Sequence, residues 1–126
     1  GMDAGKIYNS WPLMGNSYFP DDNKFNNLFK LSALSDPSIV QFIHRNLAYF
    51  IGIFYILIFY KIYRNKMYDL YKSINYLGIF IILQIILGIF TVLYGAQIYV
   101  ASMHQISSIF LVSSSIYFFY LNTKFN

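Results

Sequence analysis

Residues 74–94 read INYLGIFIILQIILGIFTVLY, and none of these side chains carries a charge. A helix rises ~1.5 Å per residue and needs about 20 apolar residues to cross ~30 Å of hydrocarbon. This run supplies them. Gln84, in its middle, is a candidate hydrogen-bonding group toward a neighbouring helix. Two similar runs lie outward of it, from about Ile39 to Tyr60 and from about Ile98 to Leu121. Aromatic residues gather near their ends, as they do at membrane interfaces: Phe59 and Tyr60, Tyr76, Tyr94, Tyr99, and Phe118 to Tyr120. Composition agrees. The chain is 57% hydrophobic and 11% charged, whereas a soluble domain averages about 25% charged residues. The expected fold is an all-α membrane protein with three transmembrane helices.

The connecting segments predict the orientation. Residues 61–72 carry Lys61, Arg64, Lys66 and Lys72 against Asp69 alone. The positive-inside rule puts them in the cytoplasm, or in the matrix of a mitochondrion. Lys124 falls on the same side. Residues 1–38 hold Asp3, Asp21, Asp22 and Asp36 against Lys6, Lys24 and Lys30, together with Pro12, Pro20 and Pro37. They read as a long extracytoplasmic loop with a short helix near Phe25–Leu31. Ser35-Asp36-Pro37 reads as a helix start, a capping side chain followed by the residue best suited to the first helical position. The domains are then 1–38, outer loop, and 39–126, membrane bundle. Gly1 suggests a start inside a longer protein. A secretory leader, with its basic and apolar regions, is not seen at residues 1–5.

Composition also narrows the chemistry. The chain contains no cysteine, so thiolate metal sites, iron–sulfur clusters and disulfides within it are excluded. It contains no glutamate, and no aspartate falls within a span, which argues against a proton relay. The net charge of +4 comes from lysines and arginines beside apolar runs, so it reads as topology and not as a nucleic-acid surface.

The chain's two histidines, His44 and His104, each sit a few residues inside a different span. A ligating side chain in such a segment is a functional candidate by default. The first and third spans run in the same direction, so the two imidazoles lie at one depth, ~7–10 Å below the outer surface. Matched imidazoles on parallel helices suit bis-histidine ligation of a haem iron. Leu47, Ala48, Ile51 and Gly52 share the face of His44. Val100, Ala101, Ser107, Ser108 and Leu111 are the corresponding residues around His104. Arg45 can pair with a haem propionate, or can extend to the interface as arginines near span ends do. From the residues alone the histidines could equally bond across helices, with Ser113–Ser115 and Gly88 as plain packing positions. Met103 points off the histidine face, and Met14 lies in the loop without a supporting partner.

The segments 1–14, with Ile7-Tyr8-Asn9-Ser10-Trp11-Pro12-Leu13-Met14, and Pro20-Asp21-Asp22 resemble the outer-loop signature of the haem A synthase family. Val40-Gln41-Phe42-Ile43-His44-Arg45 is similar to its histidine–arginine motif. Leu83-Gln84 to Leu93 is similar to the next helix, and Ala101-Ser102-Met103-His104-Gln105 to the last histidine motif. The resemblance covers nearly the whole chain. It implies an eight-helix membrane protein of two similar four-helix halves, of which this chain is most of the second, C-terminal half. His44 and His104 would be axial ligands of a prosthetic b-type haem and its iron, with Arg45 beside it.

By the same resemblance, the full enzyme would be an oxidoreductase that converts the C8 methyl of haem O to the formyl group of haem A for cytochrome oxidase. Its missing N-terminal half would hold the haem O substrate and a glutamate before its first histidine. This chain has Gln41 at the matching position, so it is expected to hold cofactor, to carry no catalytic residue and to be inactive alone. Further expected partners are the lipid bilayer, a haem O synthase and an electron donor, with no nucleic acid. The expected location is a bacterial inner (cell) membrane, in preference to a mitochondrial one. The alternative function is a non-catalytic b-type cytochrome subunit for electron transfer.

Overall fold

A computed structural model describes residues 4–125, the side chain of Phe125 excepted. The start of the outer-loop signature, Gly1-Met2-Asp3, lies outside the described residues. Three long helices dominate: α1 Pro37–Arg64, α2 Tyr71–Leu93 and α3 Ile98–Phe125. All three are long and apolar enough to cross a membrane. No strand occurs among the described residues, where the one β-bridge joins Met14 and Ser17.

The helix ends follow from local chemistry. The Asp36 carboxylate accepts from the Ser38 and Ile39 amides at 3.0 and 3.1 Å, and Pro37 takes the first turn, where its missing amide costs nothing. Lys61 and Arg64 occupy the last turn of α1, where cations offset the negative end of the helix dipole. α1 therefore runs beyond Tyr60 and stops where Lys66 turns left-handed, with φ 54°. A single 3-10 turn, Tyr68–Leu70, leads into α2.

At the other end of α2, Gly95 and Ala96 both adopt positive φ, 62° and 55°. The Gly95 amide bonds the Val92 carbonyl and the Ala96 amide bonds that of Thr91. This closes the helix and reverses the chain within residues 94–97. α2 and α3 consequently pack along each other, with Phe80 stacked on Phe110 at 5.8 Å.

α1 touches α2 far more sparingly. The two meet mainly at the end bearing the basic connection, where Ile62, Leu70, Ile74, Leu77 and Ile81 form the core. There the Tyr55 hydroxyl donates to the Ile74 carbonyl at 3.3 Å, in space that a methyl group at Gly78 would take. Toward the opposite end the helices separate and leave a cavity.

The segment before α1 folds back over that cavity. It contains 3-10 turns at Ala4–Lys6, Phe25–Phe29 and Leu31–Ser35. The last two replace the single short helix expected near Phe25–Leu31. The Lys30 amide bonds the Asn27 carbonyl, and its own extended backbone (φ −90°, ψ 147°) separates the turns.

Candidate functional site

His44 and His104 each lie roughly 10 Å along their helices from the helix start. Their ring centroids are 6.2 Å apart, with ring planes at 86°. The rings thus stand edge to face near one end of the bundle, and neither hydrogen-bonds the other. The direct bond across helices is therefore not the arrangement adopted.

A cavity of about 370 Å³ opens beside them, within the size range of small-molecule and cofactor sites. Leu47, Ala48 and Ile51 line it from α1, as the helical spacing from His44 predicts. Gly52 instead faces Ile85, whose Cδ1 is 3.9 Å from where a Cβ would stand. α3 contributes His104 to the lining, while Val100, Ala101, Ser108 and Leu111 lie off it. Ala4, Gly5 and Trp11 of the loop contribute to the lining, and α2 contributes a further wall through Gln84, Ile85, Gly88, Ile89 and Val92. Sequence reasoning missed this face. The spacing Gln84-Gly88-Val92, one residue per turn on one stripe, is the signal that could have found it.

His104 is tightly placed. The Gln84 amide donates to the His104 carbonyl at 3.1 Å and its oxygen accepts from the Ser107 hydroxyl. Gln84 is thus the interhelical hydrogen-bonder its sequence position suggested. Gly88 has no side chain because the imidazole rests there: a Cβ would stand 3.1 Å from His104 Cε1. The Ser113, Ser114 and Ser115 hydroxyls all bond carbonyls of their own helix, at Ile109 and Leu111. Met14 is buried within the loop, 1% exposed.

Arg45 is 8% exposed, and its guanidinium is committed to the loop. One terminal nitrogen donates to the Ser10 and Leu13 carbonyls at 2.9 and 3.2 Å, the other to the Tyr8 carbonyl at 3.1 Å. Its Nε is buried without a partner, as is Nδ1 of His104. Gln41, one turn earlier, makes a reciprocal pair with Tyr8, accepting from its amide at 3.2 Å and donating to its carbonyl at 3.0 Å. One turn later, the Tyr49 hydroxyl accepts from the Trp11 indole at 2.9 Å.

One stripe of α1, Gln41, Arg45 and Tyr49, thereby pins residues 8–13 across the mouth of the cavity. The next stripe adds Ser38, which donates to Asp22 at 2.6 Å, and Asn46, which accepts from Tyr18 at 2.5 Å. Sequence reasoning did not find this clamp. The acceptors of Gln41 and Arg45 are backbone carbonyls, which leave no mark on residue type.

The loop's carboxylates Asp21 and Asp22 are hydrogen-bonded locally. The Ser38 hydroxyl, and then that of Tyr8, hold the Asp22 carboxyl below its ordinary value. The Asn16 amide and Ser17 hydroxyl do the same for Asp21. Burial and then the bond to Asp22 push the Tyr8 phenol up.

The donor set bears on what the cavity can hold. Among the described residues no cluster of three or more His, Cys, Asp or Glu is present to enclose a bare metal ion. Two neighbouring imidazoles offer two nitrogen donors, so a metal held between them would have to bring its other ligands with it. A metal–imidazole bond of about 2 Å, plus about 1 Å from nitrogen to ring centre on each side, gives roughly 6 Å between centroids, which the observed 6.2 Å fits. Buried unpartnered nitrogens are rare and call for a partner. The two found here, His104 Nδ1 and Arg45 Nε, belong to residues lining this cavity. The residues present thus fit a cofactor that brings a metal together with its further ligands.

Comparison with known proteins agrees. The family described as COX15-CtaA, cytochrome oxidase assembly protein, matches residues 1–116. Proteins named heme A synthase match from Pelagibacter ubique, 42% identical over 124 residues, and from Rickettsia felis, 38% identical over 121. Another, from Rickettsia bellii, is 42% identical over 113 residues. These alignments cover 98%, 96% and 90% of this chain but 36%, 36% and 33% of those proteins. The chain therefore spans about a third of the length of the curated relatives it matches. No solved structure matches it significantly. Helices able to span a membrane together with bacterial relatives make this a multi-pass bacterial membrane protein, and the chain belongs to the heme A synthase family of cytochrome oxidase assembly proteins.

Proposed function

We propose that this chain is the haem-holding part, in the C-terminal half, of a haem A synthase. His44 and His104 would hold the iron of a b-type haem, and the whole protein would oxidise the C8 methyl of haem O to the formyl of haem A. The observation that carries the reading is the pair of imidazoles, one from each of two helices, 6.2 Å apart beside a largely apolar cavity. The family likeness supplies the reaction.

The haem, when bound, supplies one-electron redox chemistry. This chain's own residues bind and orient it. Gln84 and Gly88 fix the His104 backbone and ring, and Leu47, Ala48 and Ile51 exclude water. Arg45 holds the loop closed through its terminal nitrogens and keeps Nε for a propionate. Oxidation of the substrate belongs to the part of the protein outside this chain, which contains no glutamate. The loop and the histidine end face outward from a bacterial cell membrane, and haem O synthase is the natural source of substrate.

The test is optical and magnetic spectroscopy of the purified full-length protein. The expected species is six-coordinate, low-spin b-haem, disturbed in both His44→Ala and His104→Ala. Unchanged spectra in both variants would sink the ligand assignment. A second histidine–arginine motif preceded by glutamate elsewhere in the full protein supports the enzyme; its absence supports the electron-transferring cytochrome.

A further inference from the structure

The segment between the loop's clamp and α1 carries apolar side chains that its own fold does not cover. Phe25 is 60% exposed, Phe29 81%, Leu31 98% and Leu34 68%. These residues lie outside the spanning helices, where such exposure in water is costly and marks an interaction surface.

Their setting identifies the occupant. An aromatic ladder leads to them from the second turn of α1: Phe42 to Phe19 at 5.0 Å, Phe19 to Phe25 at 5.7 Å, and Phe25 to Phe29 at 5.9 Å. The patch is thus continuous with the flank of a membrane-spanning helix, beside its start. The Leu31–Ser35 turn packs against α1 and buries Ala33, which holds the patch at that level. Backbone groups are provided for by a staircase of bonds, from Asn27 to Lys24, Lys30 to Asn27, Ala33 to Lys30 and Asp36 to Ala33. Lys24 and Lys30, both exposed, bracket Phe25 and Phe29, and residues 24–35 hold no acidic side chain. The neighbouring Asp22 and Asp36 are spent on Ser38 and on the helix cap.

Apolar side chains interleaved with lysines are the pattern of an interfacial membrane segment. Protein–protein interface cores, by contrast, are depleted in lysine. We infer that residues 25–34 lie in the headgroup–acyl boundary beside α1, with Phe25, Phe29, Leu31 and Leu34 in the acyl region and Lys24 and Lys30 on anionic headgroups. This inference does not depend on what the histidines bind.

The absence of cysteine from the chain allows single-cysteine nitroxide labelling. The full-length protein, with any cysteine outside these residues replaced, is reconstituted in phosphatidylethanolamine vesicles with and without phosphatidylglycerol. Labels at Phe29→Cys and Leu31→Cys are expected to collide several-fold more with oxygen than with an aqueous nickel chelate. A label at the exposed Asn26→Cys is expected to do the reverse. Free collision with nickel at Phe29 and Leu31 would overturn the proposal in favour of water. Shielding from both reagents would overturn it in favour of a protein partner. The Lys24→Gln/Lys30→Gln pair should shift the Leu31 label toward the aqueous reagent when phosphatidylglycerol is present and leave it unmoved without. An equal effect in both membranes would remove the headgroup contact.

Discussion

Replacing Gly88 by alanine isolates the contact between α2 and the His104 ring. The new methyl would stand 3.1 Å from His104 Cε1 and 3.6 Å from Nδ1. Carbon atoms prefer about 3.5–4.0 Å, so the ring must retreat by roughly 0.4–0.9 Å. With the site empty it swings into the cavity at little cost. With the ring fixed to a metal it cannot, because metal–ligand distances hold to about ±0.2 Å. Overpacking of this kind costs about 1–3 kcal/mol, which at tenfold per ~1.4 kcal/mol is roughly 5- to 150-fold in haem affinity.

The helix itself does not suffer, since alanine is favoured over glycine by about 0.8–1.0 kcal/mol in a helix interior. The full-length Gly88→Ala protein should therefore unfold no more easily without haem, yet lose haem faster to an excess of a scavenging apoprotein and show a perturbed low-spin spectrum. Unchanged haem loss and an unchanged spectrum would mean that Gly88 does not set the position of the ligand ring.

Arg45→Ala removes three bonds to loop carbonyls and should weaken loop docking by on the order of 3 kcal/mol. Protease should then cut within residues 8–24, and Arg45→Lys should not restore resistance because one ammonium cannot span the same acceptors. A resistant alanine variant would contradict the clamp. Gln84→Leu breaks the α2–α3 bond at His104 and should cost about 0.6–2 kcal/mol in detergent unfolding; parental stability would refute that role. The depressed Asp21 and Asp22 carboxyls contribute loop stability that is present above the ordinary carboxylate value of about 3.9. That stability fades as pH falls through their lower folded values, so Trp11 fluorescence should report loop release below about pH 4 and not between pH 5 and 7.

The three spans were legible because apolar length is written directly in residue type. Their ends were less so. α1 was expected to stop near Tyr60 but continues to Arg64, because Lys61 and Arg64 favour the helix terminus that they were read as following. The pairing of the histidines was legible from depth and direction. The wall opposite them was not, because α2 bears no histidine to draw attention to it and is lined by isoleucine, valine and glycine. The serines and small residues near His104 suggested a lining that the Gln84–Ser107 bond turns aside. Arg45 was legible as important, but its partners are backbone carbonyls of Tyr8, Ser10 and Leu13, atoms every residue possesses.

The tight reversal at residues 94–97 has a bearing on assembly. Helices joined by so short a link find each other quickly, since closing a short loop costs little entropy. α2 and α3 can therefore enter the membrane as a ready-made hairpin with His104, Gly88 and Gln84 already in register. α1 joins through contacts distant in sequence, bringing His44 and its own loop with it. The site is thus half local hairpin and half recruited helix, and a ligand that bridges the two acts as the fastener between them.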